Sequence, residues 1–508
     1  MTLPDSSLHP SPRGEKAPVN DALTVPSFLL LFLLGTMLRL YHLGCHSLWA
    51  DEGFSLFAAK MSLPALVEFI TRFDAHPPLF YVVLHFFTTL GTSEALMRVP
   101  SFLAGTGALL AAAYLARALY NRHVSLMTTF FVAISASLVY TVQEARMYPM
   151  LSLLSLLAAI FFIRLTKRFS YRDTLIYGFL LILCLYTHYL GFCVIASHGL
   201  SLMLLYRDSP SAKAAGAAMA AAALSFTPWL PHLVVQLSSH QGPTALVFHP
   251  VQIIQFFTAA FAGFTFLAPP WTAPFLLVIF LALIVPLTGI IACRSRDTSL
   301  LFLFIMTALP LVLLVIVSFT GLRQLFSVKY LSYTVPFYFM ILAAVLDRLR
   351  ARGLRHYALL FLAAYMLVNA GALYNWYFIP GFQKQRWKEA ITYVNAQAGR
   401  HDAMLIQDFF QIYCLRYYLA QDASIYMVRP GEMPGPLEEI ARSHERIWYI
   451  ASCGWRIRDP ELVIPKWLDT HMENVSAVSF ESMEGSYSDV LVLLFRKPQG
   501  GSGKPPSP

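Results

Sequence analysis

Residues 124–163 read VSLMTTFFVAISASLVYTVQEARMYPMLSLLSLLAAIFFI. Two apolar runs, 124–142 and 147–163, are parted by little more than Gln143-Glu144-Ala145-Arg146. A helix that crosses the hydrocarbon of a bilayer needs about 20 mostly apolar residues. The stretch therefore reads as two transmembrane helices joined by a tight, charged turn at one membrane face. A Glu and an Arg this close to hydrocarbon are expensive unless they pair or have a task. Self-neutralisation at a turn is the plain explanation, and a functional site is the sharper one.

The same pattern continues outward. Apolar runs lie at 25–43, 99–119, 174–192, 193–206, 214–235, 272–293, 299–319, 331–346 and 357–378, which brings the expected total to about eleven spans. Composition agrees: 57% of the 508 residues are hydrophobic and only 13% charged, and the mean hydropathy is +0.57, far from the balance of a water-soluble domain. The formal charge of +9 is not gathered in one patch, so nucleic acid is not an expected partner. Basic residues fall instead in short loops: Arg117/Arg122, Arg164/Lys167/Arg168/Arg172, Arg207/Lys213, Arg294/Arg296 and Arg348/Arg350/Arg352/Arg355. Such loops face the cytoplasm. The expectation is a multi-pass protein of the inner (plasma) membrane, with residues 1–22 cytoplasmic, an uncleaved signal anchor following, and the C-terminal part outside.

Residues 79–90, after the His76-Pro77-Pro78 break, are apolar for only about a dozen residues, a length typical of interfacial segments. Counting them as a span would place the basic loops at 164–172 and 348–355 outside, against the charge bias. The expected organisation is therefore a transmembrane domain at 23–379 with a first outer loop at 45–97, an α/β domain at 380–498, and a Gly/Pro/Ser-rich disordered tail at 499–508. Within the α/β domain, 403–407, 424–428, 446–450 and 489–495 read as strands, and 386–398, 408–420 and 436–444 as helices. The six cysteines show no zinc-ligand spacing. Cys414 and Cys453, both in this domain, read as buried hydrophobes rather than a disulfide.

Three charged clusters fall at outer ends of spans: Asp51-Glu52, Glu144 with Arg146 and Tyr148, and Arg323 through Lys329-Tyr330. Each alone reads about as well as a solvated loop pair or a snorkelling cation. Together they set carboxylates and cations on one face, near the depth of a lipid phosphate. Sugar transfer from a lipid phosphate needs a base for the acceptor hydroxyl and cations for the leaving phosphate. A transporter or lipid flippase is the main alternative, but its charges belong near the bilayer midplane.

The order Asp51-Glu52, His76-Pro77-Pro78, Glu94 with Arg98-Val-Pro-Ser101, Gln143-Glu144-Ala145-Arg146-Met147-Tyr148, Thr187-His188-Tyr189, Lys329-Tyr330 with Pro336, and Trp387 resembles the bacterial membrane glycosyltransferases of family 39. These are similar to dolichyl-phosphate-mannose protein mannosyltransferases and to the lipid A aminoarabinose transferase, and share the GT-C fold. The resemblance spans residues 25–495. It implies a polyprenyl-phosphate-linked sugar as donor, a hydroxyl acceptor on a lipid, glycan or protein, and inversion at the anomeric carbon on the extracytoplasmic side. On that analogy Asp51 is the general base and Glu52 its tuning neighbour. Glu144, Arg146, Tyr148, Lys329 and Tyr330 bind the donor or its phosphate, and His76, His188 and Arg323 line the site. Many relatives have arginine at the position of Lys329; lysine keeps the charge but loses the bidentate fork. No cofactor is required by this chemistry, and the carboxylates leave room for a divalent cation.

Overall fold

A computed structural model describes residues 24–239, 251–266, 297–319, 329–420, 422–452, 459–482 and 489–498. The chain begins with α1 (Thr24–Leu40), followed by four helices of the first loop region and beyond: α2 (Ala50–Ala59), α3 (Leu63–Phe73), α4 (Leu79–Thr88) and α5 (Glu94–Leu119). There follow α6 (Arg122–Ile134), α7 (Ala136–Val142), α8 (Tyr148–Lys167), α9 (Tyr171–Thr187), α10 (Gly191–Leu205), α11 (Ala212–Ser225), α12 (Leu230–Ser239) and α13 (Val251–Ala262). The helical part closes with α14 (Thr298–Phe319), α15 (Val335–Ala351) and α16 (Arg355–Phe378).

Among the described residues, six helices are long and apolar enough to cross a membrane, or seven if a bent pair counts as one span. The expected eleven is thus too many. The helix α10, with 15 residues, is shorter than the roughly 17 a crossing needs, while α9 and the described part of α1, with 17 each, stand at that limit. The expected span at 272–293 lies outside the described residues. Large apolar side chains such as Leu30, Leu103, Leu175, Phe179, Leu360 and Leu367 are exposed on the outer surface, as suits a bundle whose solvent is lipid. With ten residues, α4 is about 15 Å long, half the hydrocarbon thickness, and it packs against α2 and α5.

The bent pair is α6 and α7, which meet at 58° about Ser135. A break inside the membrane strands backbone groups that water cannot satisfy. Here buried side chains supply partners for several of these groups. Arg39, fully buried, donates to the carbonyls of Val132 (2.8 Å) and Ala133 (3.0 Å). The Tyr365 hydroxyl donates to Phe131 O (2.9 Å), and Asn369 Oδ1 accepts from Ala136 N (2.9 Å). The bend turns α7 inward against α5, where Val142 fills the space a side chain at Gly105 would need: a Cβ there would lie 2.1 Å from Val142 Cγ2. Residues 143–147 are thereby delivered into the interior.

The basic loops collect at one end of the bundle. Asn121 bonds Asp347 (2.8 Å), Arg164 pairs with Asp173 (2.9 Å), Arg348 pairs with Asp297, and Ser299 bonds Leu119 O (3.3 Å).

The C-terminal part comprises α17 (Trp387–Asn395), β1 (Ala403–Ile406), α18 (Gln411–Tyr418), β2 (Ser424–Met427), α19 (Gly435–Ser443), β3 (Arg446–Ala451), α20 (Val463–His471), β4 (Glu473–Phe480) and β5 (Val490–Arg496). The sheet runs β2-β1-β3-β5-β4, with β1 parallel to β2 and β3, and β5 antiparallel to β3 and β4. Trp387, Ile391 and Val394 cover one face over Met404, Ile406, Trp448 and Ile450; Leu437, Ile440, Ile464 and Leu468 cover the other over Leu405, Ile447 and Tyr449. Burial on both sides is why the central strands read as unbroken apolar runs. The edge strand β4 and helix α20 escaped the sequence reading. In β4 half-exposed residues alternate with fully exposed ones and no side chain is buried, and Pro465 interrupts the pattern of α20. Cys414 is buried, with its Sγ 3.6 Å from Leu48 O, whereas Cys453 lies outside the described residues.

Replacing Asn369 by Leu removes the acceptor for Ala136 N and leaves a buried donor unsatisfied, at a cost of about 1–3 kcal/mol. The expected outcome is a lowered thermal midpoint for the purified protein, with Tyr365→Phe showing a smaller drop of the same sign. An unchanged midpoint for Asn369→Leu would mean that the bend is not held by these contacts.

Candidate active site

The two carboxylates Asp51 and Glu52 open α2, in the first turn, where the helix dipole favours negative charge. Successive helical residues point in directions about 100° apart, and the two side chains have different fates. Glu52 is only 1% exposed. Its carboxylate receives a forked pair of bonds from Arg98, Nε to Oε1 and Nη2 to Oε2, both 2.8 Å, and Oε1 also accepts from Ala145 N (2.7 Å). Burial pushes the Glu52 carboxyl up, but Arg98 and the Ala145 amide outweigh it and hold it below the usual carboxylate range. Arg98 spends its other protons on the carbonyls of Leu43 (2.9 Å), His46 (3.1 Å) and Ser47 (2.9 Å). Glu52 is thus fully engaged and closed to a substrate.

Asp51 is 38% exposed. Opposite it stands Arg146, itself only 3% exposed, with Nη2 at 3.9 Å from Asp51 Oδ2. Arg146 also donates to Ser55 Oγ and to the Tyr81 hydroxyl, both at 3.2 Å. Tyr81 in turn donates to Asp74, whose other oxygen lies 3.0 Å from His76 Nδ1. Arg146 Nη2 approaches the same Nδ1 at 3.5 Å. One nitrogen cannot both donate and accept in this plane, and the shorter contact decides: Nδ1–H donates to Asp74. Burial pushes Asp74 up, yet His76, Arg146 and Tyr81 together hold it well below the usual carboxylate range. The ring of His76 packs edge-on to His188 (5.1 Å) and Tyr330 (6.2 Å), and Tyr148 lies 5.9 Å from Tyr330. His188 Nδ1 accepts from Leu190 N (3.1 Å), so its proton is on Nε2. Burial, then the neighbouring His76 and Arg146, keeps His188 neutral.

A second cluster adjoins the first. Glu144, fully buried, pairs with Lys384. The Lys384 ammonium sits 4.3 Å from the Trp49 ring centre and 4.5 Å from that of Tyr140; Lys329 sits 4.7 and 5.7 Å from the same two rings. Cations are attracted to the negative faces of such rings. Arg323 lies outside the described residues. Among the described residues no group of three or more His, Cys, Asp or Glu side chains is placed to hold a metal ion.

The C-terminal part completes this site. Gln385 Oε1 accepts from Ala50 N and from Trp387 Nε1, both 3.0 Å, and the Tyr418 hydroxyl accepts from Leu48 N at 2.7 Å. These satisfy backbone donors at the start of α2 that a helix cannot satisfy itself. Ser47 Oγ donates to Glu389 (3.0 Å) and accepts from Lys388 N (2.9 Å). The absence of a side chain at Gly53 allows α18 to seat directly on α2, since a Cβ would meet Cys414 Sγ at 2.8 Å.

The residues gathered by sequence order are thus brought together, with Arg323 the one left unplaced. Sequence reasoning missed Asp74, Tyr81, Trp49, Tyr140 and Lys384. Lys384 carried a usable signal: like Lys329, it is a cation within a few residues of one end of an apolar run.

Comparison with known proteins bears on the fold. A family model described as dolichyl-phosphate-mannose-protein mannosyltransferase matches residues 75–234, from the His76-Pro77-Pro78 break into α12. The structure is similar to that of ArnT from Cupriavidus metallidurans in the apo state, at 13% identity and a TM-score of 0.56, over 92% of this chain and 97% of that one. It is also similar to the oligosaccharyltransferase of Archaeoglobus fulgidus in the apo form (10% identity, TM-score 0.54, 95% of this chain and 75% of that one). The same archaeal enzyme, AglB, in complex with an inhibitory peptide and a dolichol-phosphate, matches with a TM-score of 0.52 at 10% identity, over 94% of this chain and 74% of that one. Among curated proteins none matches the sequence. At these identities the likeness is one of fold, and the fold is GT-C, as the sequence resemblance implied.

Two outcomes follow from the geometry. Glu52→Gln leaves Arg98 buried beside a neutral partner and is expected to destabilise by about 3–5 kcal/mol, read as a fall in thermal midpoint. His46 is buried with no hydrogen-bond partner at either ring nitrogen, and burial, then the Arg98 charge, lowers its pKa to about 3. Between pH 6.5 and 3 the unfolded chain therefore binds a proton at His46 that the folded chain refuses. Stability present above pH 6.5 is lost as pH falls through that window. His46→Phe, which keeps the contact with Trp376 (4.3 Å), should flatten the decline between pH 7 and 5; an unaltered pH profile would remove His46 as its source.

Proposed function

We propose that the protein is a membrane glycosyltransferase that moves a sugar from a polyprenyl-phosphate-linked donor to a hydroxyl acceptor at the extracytoplasmic face, with inversion. The single observation that carries this reading is the division of labour in α2: Glu52 is locked by Arg98, while Asp51 stays open and is oriented from behind by Arg146. A carboxylate held in place yet accessible is what a general base requires.

In the proposed step Asp51 takes the proton of the acceptor hydroxyl as its oxygen attacks the anomeric carbon. The bond from that carbon to the phosphate oxygen breaks, its electron pair stays on the phosphate, and configuration inverts. Phosphate leaves readily and needs no acid. Arg146 is buried and shared between Asp51, Ser55 and Tyr81, so its part is to orient the base. Lys329, over Trp49 and Tyr140, is better placed to meet the donor phosphate. Glu52 is a positioning residue. His76, with Nδ1–H given to Asp74, and the neutral His188, with Tyr148 and Tyr330, form a largely aromatic wall suited to a sugar.

The extracytoplasmic assignment rests on charge: the basic loops meet at one end of the bundle, which the positive-inside rule assigns to the cytoplasm. Asp51 lies beyond the opposite ends of the same helices. The family matched over 75–234, and the bound lipid named for the similar AglB structure, support a lipid-phosphate donor. The sugar and the acceptor are separate questions, answered by supplying membranes with mixed lipid-linked sugars and finding which one is consumed.

Asp51→Asn in purified, monodisperse protein is expected to lower sugar transfer by at least about 100-fold, the scale of a lost general base, while donor binding changes little. Full activity of that variant would remove Asp51 as the base.

A further inference from the structure

Lys384 belongs neither to the transmembrane helices nor to the sheet domain but to the segment that joins them, between α16 and α17. Even so, its ammonium shares two aromatic rings with Lys329, at 4.3 and 4.5 Å against 4.7 and 5.7 Å. Two like charges on one pair of rings repel unless something offsets them. Glu144, paired with Lys384 and fully buried, offsets one. The three groups together have a formal charge of one positive, which matches the single negative charge of a sugar phosphodiester.

That balance changes during the reaction proposed above. When the bond from the anomeric carbon to oxygen breaks, the phosphate gains a second negative charge, because a free phosphomonoester has a charge of about −1.5 to −2 at neutral pH. An ammonium has three donor protons, so Lys384 can keep Glu144 and still present protons to a phosphate oxygen. Resting on the glycosyltransferase reading, we propose that Lys384 is the second cation of the phosphate site, delivered by the segment leading into the C-terminal domain to meet the charge that develops on the leaving phosphate. The joining segment then does more than connect the two parts: through Gln385 it caps the helix of the base, and through Lys384 it supplies the group that favours the late, more charged state over the bound donor. Interactions that strengthen toward the transition state raise turnover rather than affinity.

The test compares two probes with the full-length protein in detergent or nanodiscs: decaprenyl phosphate, a monoester, and its methyl diester, which has one charge. The wild type is expected to bind the monoester more tightly. Lys384→Gln should weaken monoester binding by about 10-fold or more, the scale of a hydrogen bond to a charged group, with a smaller loss for the diester. Lys384→Arg should retain the preference. Glu144→Gln, which removes the competing charge, should shift it the opposite way and tighten monoester binding. Lys388→Gln, four residues along and paired with Glu94 at 3.1 Å, should change neither probe. Equal losses for both probes in Lys384→Gln, or the same losses in Lys388→Gln, would show that Lys384 only anchors the segment and would overturn the inference alone. A wild type that binds neither probe would instead overturn the lipid-phosphate reading on which it rests.

Discussion

The forked ion pair between Glu52 and Arg98 is the constraint on which the rest of the site depends. It joins four pieces of chain: the first turn of α2, the start of α5, the turn at 43–47 and the Ala145 amide delivered by the bent helix pair. A buried pair of this kind gains little over a well-packed apolar alternative, since desolvation offsets much of the attraction. Its value here is geometric. Fork-to-fork pairing has one good orientation, and three further carbonyls fix the guanidinium. The backbone of α2 therefore has one place to stand, and Asp51 one direction in which to project.

The second constraint comes from the membrane. Bringing Glu144 and Arg146 to Asp51 requires a helix that stops short, and stopping short in hydrocarbon strands backbone donors and acceptors. Arg39, Tyr365 and Asn369, from the first and the last helices of the transmembrane part, take up those groups. The active-site turn is thus held from behind by residues far from it in sequence. The C-terminal part does the same from the other side, through Gln385 and Tyr418 on the amides that open α2.

Much of this was legible in sequence because apolar runs and charge clusters are local. The long helices, the face shared by Asp51, Arg146 and Lys329, and the strands β1, β2, β3 and β5 all announce themselves within a window of twenty residues. The span count did not transfer: α10 is apolar but ends early, and hydropathy does not register where hydrogen bonding stops. Strand β4 was hidden because its sequence, ENVSAVSF, is broken by polar residues and largely exposed, without the apolar run of its neighbour β5. Lys384 was hidden for a different reason. Its importance comes from lying beside Glu144, Trp49 and Tyr140, three positions distant in the chain, and no local pattern encodes that juxtaposition.

The same limit explains why Glu144 with Arg146, and Lys329 with Tyr330, were read as sharing one role. Asp51 and Glu52, Glu144 and Arg146, Lys329 and Tyr330 are each adjacent or nearly so, and each pair splits. In a helical turn, neighbours in sequence diverge by about 100°, so a charged doublet serves two environments. Glu52 faces Arg98 while Asp51 stays partly exposed beside Arg146; Arg146 faces Asp51 and Tyr81 while Glu144 faces Lys384; Tyr330 joins the wall of His76 and His188 while Lys329 joins Trp49. The second and third doublets thereby link the surroundings of Asp51 to the cluster of Glu144, Lys384 and Lys329. The distance between the two clusters is then set by the covalent geometry of one or two residues, the most rigid spacer a protein possesses.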